Sequence, residues 1–228
     1  MAASRNSPPA DLSRRVAEFF ASRLPRGRRV CVALSGGRDS VALLHALAEA
    51  RTGLPRLQLS ALHVHHGLSA NADAWAAFCG DLCRRLDLPL EVRRVQVVDG
   101  GEGLEAAARH ARYTAFAGCD ADWLVLAHHR DDQAETLLLN LLRGAASEGL
   151  AAMPEERPLA PGSALRLVRP LLGTDRRCIE EWLRVRAQGW IEDESNADSR
   201  LRRNFLRHEV LPRLASVFPA PAAALARS

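Results

Sequence analysis

Hydrophobic positions along the chain switch repeatedly between a period of two and a period near 3.6. Arg29–Leu34 (RVCVAL) is a β-branched apolar run, and after Ser-Gly-Gly it gives way to Ser40–Leu47 (SVALLHAL), a run of good helix formers. The pattern predicts a strand, a glycine turn and a helix. Leu57–Val64 predicts a second strand. Trp75, Phe78, Cys79, Leu82, Cys83 and Leu86 then recur at i, i+3, i+4, i+7, i+8 and i+11, one apolar stripe of an amphipathic helix. Leu90–Val98 and Leu104–Ala117 predict a third strand and helix, and Trp123–Ala127 and about Asp132–Leu142 a fourth pair. Four βα units in succession imply an α/β fold with a doubly wound parallel sheet, helices covering both faces.

Beyond Arg143 the periodicity lapses. Residues 143–165 (RGAASEGLAAMPEERPLAPGSAL) are rich in Gly, Ala and Pro and are expected to form a mobile loop. Arg166–Arg169 is expected as a short edge strand, Asp175–Arg186 as a helix, and Arg200–Leu211 as a further helix stopped near Pro212. Trp182 and Trp190 are expected in the core of this region. The sequence contains no internal repeat.

Composition narrows the class. A chain of 228 residues with 47% hydrophobic and 25% charged content suits one main globular core with an appendage. Its apolar runs are strand-sized, far short of the ~20 residues of a membrane span, so no membrane partner is expected. The opening MAASRNSPPADLSRR lacks the apolar stretch of a secretory signal, and a cytoplasmic location is expected. Cys31, Cys79, Cys83, Cys119 and Cys178 form no CxxC pair and read as thiols in a reducing compartment. All 31 basic residues are arginine. Residues 1–162 hold 19 Arg against 19 acids and residues 163–228 hold 12 against 8, so the whole excess of positive charge is carboxyl-terminal. On charge alone such a region reads as a solvated helix face, with a polyanionic partner as the alternative.

Ser35-Gly36-Gly37-Arg38-Asp39-Ser40 is the sharpest chemical feature. A glycine turn between a buried strand and a helix presents free N–H groups and a positive dipole to phosphate, although the segment matches neither the γ-phosphate-transfer loop nor the dinucleotide fingerprint. Asp39 supplies a carboxylate beside that site, which suits a Mg2+ ion lying between it and the phosphates; a plain turn capped by Asp39 and Ser40 is the alternative. His63 ends a strand, where it either packs in the core or meets a nucleotide base. Arg109 and Arg112 share a helix face. Asp132 and Glu135 either form a capping box or open at the same sheet edge as Asp39. Arg200, Arg202, Arg203, Arg207 and Arg213 bunch together around Asn204 and His208.

The hexapeptide resembles the SGGxDS loop of the PP-loop ATP pyrophosphatases, which cleave ATP to AMP and pyrophosphate while adenylating an acceptor. The segments ALHVHHGLS (61–69), EAAARHARY (105–113), AHHRDDQAET (127–136), Arg143-Gly144, GLAAM (149–153), RPL (169–171), DESN (193–196) and RNFLR (203–207) are similar, in order, to those of the tRNA(Ile)-lysidine synthetases. That resemblance covers roughly residues 28–215. It implies a C–N ligase using ATP and Mg2+, whose partners are free L-lysine and a tRNA(Ile) with a CAU anticodon; it leaves a homodimer open. ATP would be held by Ser35, Gly36, Gly37, Arg38, Asp39, Ser40, His63, Arg109 and His128, and Mg2+ by Asp39 and Asp132. Asp39, Asp132 and Glu135 would be catalytic, with Glu135 receiving the lysine amine. Arg112, Arg143, Arg203, Asn204 and Arg207 would meet lysine or tRNA, the Arg203-Asn204 pair also bracing the site.

The expected division is an N-terminal helix and lead-in (1–27), an ATP-binding domain (28–142), an active-site loop (143–165), and a basic, mostly helical subdomain (166–228) ending ahead of the further tRNA-binding domains of longer family members. Two alternatives stand beside this one. The first is a 2-thiocytidine-type modifier, disfavoured by the lack of CxxC. The second is a nucleotide-binding module without catalysis, which needs no pair of carboxylates around a pyrophosphate.

Overall fold

Alternation within each strand sorts the apolar side chains onto two faces of a single six-stranded sheet. In the computed structural model, which describes residues 11–98, 100–101, 103–145 and 152–227, the strands are β1 (Arg29–Ala33), β2 (Gln58–His65), β3 (Leu90–Arg94), β4 (Trp123–Val125), β5 (Glu156–Pro158) and β6 (Arg166–Val168). Their order is β3-β2-β1-β4-β6-β5. Every pairing is parallel except that of β5 with β6. Val30, Val32, Leu59, Ala61, Trp123, Val125 and Val168 point to one face. Cys31, Leu62, Leu124 and Leu167 point to the other. This period of two explains why both faces need a helical cover.

The first face is covered by α1 (Leu12–Ala21), α2 (Arg38–Ala50), α3 (Ala72–Arg85) and α6 (Arg176–Val185). They contribute Phe20, Leu44, Leu82 and Trp182 to one continuous core, and Trp190 packs at its margin. The second face takes Phe116 and Tyr113 of α4 (Leu104–Ala117). Parallel crossovers step from β1 to β2 to β3 in one direction and from β4 to β6 in the other. The topological switch therefore falls between β1 and β4, whose carboxyl ends lead into the Ser35–Ser40 loop and into α5 (Arg130–Leu142). A ligand crevice is expected at that place in an open α/β sheet.

The carboxyl-terminal third departs from the sequence expectation in four ways. First, β6 is an interior strand, flanked by β4 and β5. The Glu-Arg-Pro of β5 has no apolar alternation to betray it. Second, the expected 143–165 loop is partly ordered, since it contains β5 and the buried Leu159 and Leu165; residues 146–151, with Gly149, Leu150 and Ala151 of one quoted motif, lie outside the described residues. Third, the chain after residue 166 does not form a body of its own, because β6 joins the sheet and Ile179, Trp182 and Leu183 of α6 enter the main core. Fourth, Pro212 stops nothing. α7 (Arg202–Phe205) runs through a π-helical turn (Leu206–Val210) directly into α8 (Leu211–Val217), and Pro212 is the second residue of α8, just where the hydrogen-bond ladder changes register. The last helix, α9 (Pro221–Leu225), packs against α5. No helix among the described residues is long and apolar enough to cross a membrane.

Leu167 is fully buried in the second core between two neighbouring strands. Leu167→Ala is expected to lower the unfolding free energy by about 2–5 kcal/mol, the cost of a core cavity. Chemical denaturation measures it, and a loss under about 1 kcal/mol would mean that β6 lies at an edge.

Candidate active site

The Ser35–Ser40 loop is built around one backbone position that only glycine fits well. Gly36 has φ +87°, and a Cβ there would stand 2.5 Å from Ile191 Cδ1 and 3.2 Å from Cys79 Sγ. Ile191 N–H donates to Gly36 O at 2.9 Å, so the loop is pinned from outside by the strand-like segment after α6. Inside the loop, Ser40 Oγ donates to Gly37 O at 2.9 Å and lies 3.0 Å from Ser35 Oγ. Gly37 caps α2 without a side chain of its own, which leaves the helix N-terminus open to an anion. His63 is buried, its Nδ1 donating to Leu34 O at 2.8 Å, and burial keeps its pKa low. The neutral ring thus braces the loop entrance and keeps Nε2 as an acceptor.

Opposite the loop, the chain leaving β4 places two adjacent histidines in opposite charge states. His129 is 1% exposed, with Nε2 3.6 Å from Asp39 Oδ2 and 3.5 Å from Asp132 Oδ2, and Nδ1 3.6 Å from Asp131 Oδ2. Burial opposes protonation, but the charges of Asp132, Asp131 and Asp39 prevail and hold the imidazole up at about 10. His128 accepts from Arg169 Nε at 3.1 Å through Nδ1. Burial and the cations Arg169, Arg203 and His129 push it down to about 3. The His128 Nε2 therefore carries the proton and is a donor. Burial likewise works against the Asp39 carboxylate, yet His129 and Arg38 hold it well below the ordinary range. Arg38 Nε donates to Asp39 at 2.9 Å.

Asp132 and Glu135 are gripped by the carboxyl-terminal arginines. Arg203 donates through Nε to Glu135 Oε2 at 2.6 Å and through Nη2 to Asp132 Oδ1 at 2.9 Å. Arg207 donates through Nε to Glu135 Oε1 at 2.7 Å and through Nη2 to Oε2 at 2.9 Å. Glu135 is wholly buried. The helix cap expected from Asp132 and Glu135 falls three residues earlier: α5 starts at Arg130, and Asp132 Oδ2 accepts the His129 N–H at 2.9 Å. Asp131 joins α5 to α6 by accepting the Arg176 N–H at 3.2 Å.

The remaining expected site residues divide. Arg109 and Arg112 are exposed on α4, and Arg109 Nη2 donates to the Tyr113 hydroxyl at 3.3 Å. Asn204 lies behind the site, donating to Ser195 O at 2.7 Å and Asp198 O at 3.0 Å. Arg143 stands at the far end of α5, about 20 Å along the helix from His129, and is not brought to the site. Sequence reasoning gave no role to His129, Asp131, Ile191 or Gln133. Gln133 clamps Met153 through both its amide atoms, at 2.9 and 2.8 Å. A histidine immediately before a helix, followed by two acids in the first turn, was the available signal for His129.

No group of three His, Cys, Asp or Glu among the described residues is arranged to hold a metal by itself. The donor set nevertheless fits Mg2+. Asp39 and Asp132 stand side by side, flanking the His129 Nε2 at 3.6 and 3.5 Å, and Mg2+ is commonly held by one or two such carboxylates with phosphate oxygens and water completing its shell.

A family model described as the PP-loop domain matches residues 8–214. The tRNA(Ile)-lysidine synthase of Chromobacterium violaceum is 54% identical over 198 residues, covering 86% of this chain and 45% of the relative. The one from Pseudomonas aeruginosa is 53% identical over 199 residues, covering 86% and 44%. That of Nitrosomonas europaea is 45% identical over 229 residues, covering 100% and 50%. The chain thus spans about half the length of these relatives. Among solved structures, a U34-tRNA thiolase of Methanococcus maripaludis has the same fold, with TM-score 0.76 and 15% identity over 95% of this chain and 76% of that one. An NH3-dependent NAD synthetase of Campylobacter jejuni follows at TM-score 0.53 and 13% identity, covering 97% and 93%.

Two measurements follow from the charges. Raised from 6.5 to about 10, the His129 pKa contributes stability that is whole below pH 6.5 and is lost as pH rises through 10. In 15N-histidine NMR at pH 8, His129 is expected to be cationic and His128 neutral; a neutral His129 there would refute the network. Glu135→Gln leaves two guanidinium groups short of a buried partner, and a loss of about 3 kcal/mol in urea denaturation is expected. Arg143→Gln is the control, within about 0.5 kcal/mol of the unaltered chain.

Proposed function

The chain belongs to the PP-loop domain family, and from that membership we propose that it performs the ATP-dependent ligation of a tRNA(Ile)-lysidine synthase. The observation that carries the proposal is the meeting of the Ser35–Ser40 loop, Asp39, His129 and Asp132 at the switch between β1 and β4. An open helix N-terminus receives phosphate on one side, and carboxylates stand on the other. The relatives named above favour this reading over the thiocytidine type.

In this proposal the triphosphate of ATP rests on the backbone N–H groups of Gly36 and Gly37 and the hydroxyls of Ser35 and Ser40. His63 offers Nε2 to the base, His128 donates from Nε2, and Arg38 fixes Asp39. Asp39 and Asp132 would hold Mg2+, which neutralises charge on the departing pyrophosphate. The 2-oxo oxygen of the wobble cytidine in a CAU anticodon attacks the α-phosphorus, and the bond to pyrophosphate breaks. An amine of free lysine then attacks C2 of the adenylated cytidine, and AMP leaves. The amine must arrive unprotonated. Glu135 is occupied as the counter-ion of Arg203 and Arg207, so a lysine ammonium reaching it exchanges places with a guanidinium. Arg109 would reach the ATP phosphates from α4, and Arg112, three residues on, the lysine or the tRNA. Every residue named is supplied by one chain, so the proposal needs no homodimer; the setting it implies is cytoplasmic.

The test incubates the purified chain with Mg2+-ATP, labelled lysine and a CAU-anticodon tRNA(Ile) transcript, with a CAU methionine tRNA as control. AMP together with label in the isoleucine tRNA alone is the expected result. Asp39→Asn is expected to lower AMP formation at least about 100-fold. Undiminished AMP formation in that variant, or label in neither tRNA, would overturn the assignment.

A further inference from the structure

Four arginines of the site region pair with carboxylates: Arg38 with Asp39, Arg203 and Arg207 with Asp132 and Glu135, and Arg130 with Asp175. A second group, on the side of the sheet beyond β4, is assembled differently. Arg169, which follows β6, is 3% exposed, and its bonds go to His128 Nδ1 at 3.1 Å and Pro154 O at 2.7 Å. Arg157, on β5, donates to Pro158 O at 2.9 Å, Leu159 O at 3.0 Å and the Tyr113 hydroxyl at 3.4 Å. Its guanidinium carbon lies 5.7 Å from the centre of the Tyr113 ring, and that of Arg109 lies 4.9 Å from it. Among the described residues, the partners of these arginines are thus carbonyls, a neutral imidazole and a phenol. The neighbouring Glu156 turns the other way, to Arg23, Arg26 and Arg166. Burial and the nearby charges of Arg157 and Arg109 push Arg169 down to about 10, so it remains cationic at neutral pH.

A buried guanidinium among like charges is costly unless an anion supplies the missing charge. Position says which anion. Parallel strands lie about 4.8 Å apart, so Arg169 at the end of β6 stands two strands, about 10 Å, from the loop that follows β1. Arg157 lies one strand further out. His63 lies near the carboxyl end of β2, on the opposite side of the loop. With the nucleotide lying from the loop toward β2, the β6 and β5 side belongs to the acceptor. We propose that Arg157, Arg169 and Tyr113 form a subsite for a backbone phosphodiester of the RNA substrate, next to the nucleotide that enters the site. The inference rests on the RNA acceptor of the proposed function. Guanidinium suits the task because it pairs with two phosphate oxygens at once, and phosphate contacts of this kind set register without reading sequence.

The test measures binding of a CAU anticodon stem-loop RNA across a series of KCl concentrations, by fluorescence anisotropy, for the unaltered chain, Arg157→Gln, Arg157→Lys and Tyr113→Phe. Arg157→Gln is expected to weaken RNA binding about tenfold at low salt and to lower the slope of log affinity against log salt by about 0.7, the value for one single-strand phosphate. Arg157→Lys retains the slope while losing affinity, because it keeps charge but not the two-pronged contact. A merely structural Arg157 would leave the salt slope unmoved. Arg169→Lys repeats the test at the buried position, and Arg157, on the outermost strand, carries it where that variant does not fold. Unchanged RNA affinity and slope in Arg157→Gln overturn the subsite. Loss of Mg2+-ATP affinity in its place assigns the phosphate to the nucleotide and also overturns it. Failure of the unaltered chain to bind the stem-loop overturns the proposed function itself, a result distinct from either.

Discussion

The site depends above all on the charge of His129. Asp39 from the β1 loop and Asp131 and Asp132 from the start of α5 come together around its ring. Without positive charge there, three carboxylates would repel across a short gap inside the protein, and desolvation would drive at least one of them to take up a proton. With it, each keeps its negative charge, and the two halves of the sheet are drawn together at their seam. Chain direction places this histidine: β4 is three residues long, and the turn after it ends at the first residue of α5, so the N-cap position falls beside the loop that follows β1.

A second layer of charge surrounds the first. Arg203 and Arg207 reach Asp132 and Glu135 from a helical turn some seventy residues further along the sequence. Asp131 also receives the N-terminus of α6, whose apolar side belongs to the main core. The polar centre is therefore wired into the packing of the main core. This explains why the segment after residue 166 does not behave as an appendage: β6, α6 and the Arg203–Arg207 turn each contribute something that the amino-terminal two thirds lacks.

How much of this the sequence announces depends on the range of the interaction. Periodicity is local, and it located α4 at Leu104–Ala117 with the observed ends and placed the stripe of Cys79, Leu82 and Cys83 on the core side of α3. The glycine loop was legible for the same reason, its strand, turn and helix being contiguous. The strand β5 was not, since three residues of Glu-Arg-Pro carry no alternation and are held by pairing with β6. Nor did charge or spacing announce the inward turn of Arg203 and Arg207, which only the family resemblance implied, because arginines in a basic stretch look alike whether they face solvent or a buried acid. Ile191 is a further case: its role is to fill the space that Gly36 leaves empty, and only the folded chain brings the two together.

The ring of Asp132, Glu135, Arg203 and Arg207 also bears on how such a chain can change over generations. Each member satisfies two others, and one of them is wholly buried. Exchanging any one alone strands an uncompensated charge in the interior, whereas exchanging an acid and a base together restores neutrality. The four positions are expected to be inherited as a block, and single steps away from it lead through unstable intermediates. Lineages would then preserve a contact between distant parts of the polypeptide through four residues that depend on one another.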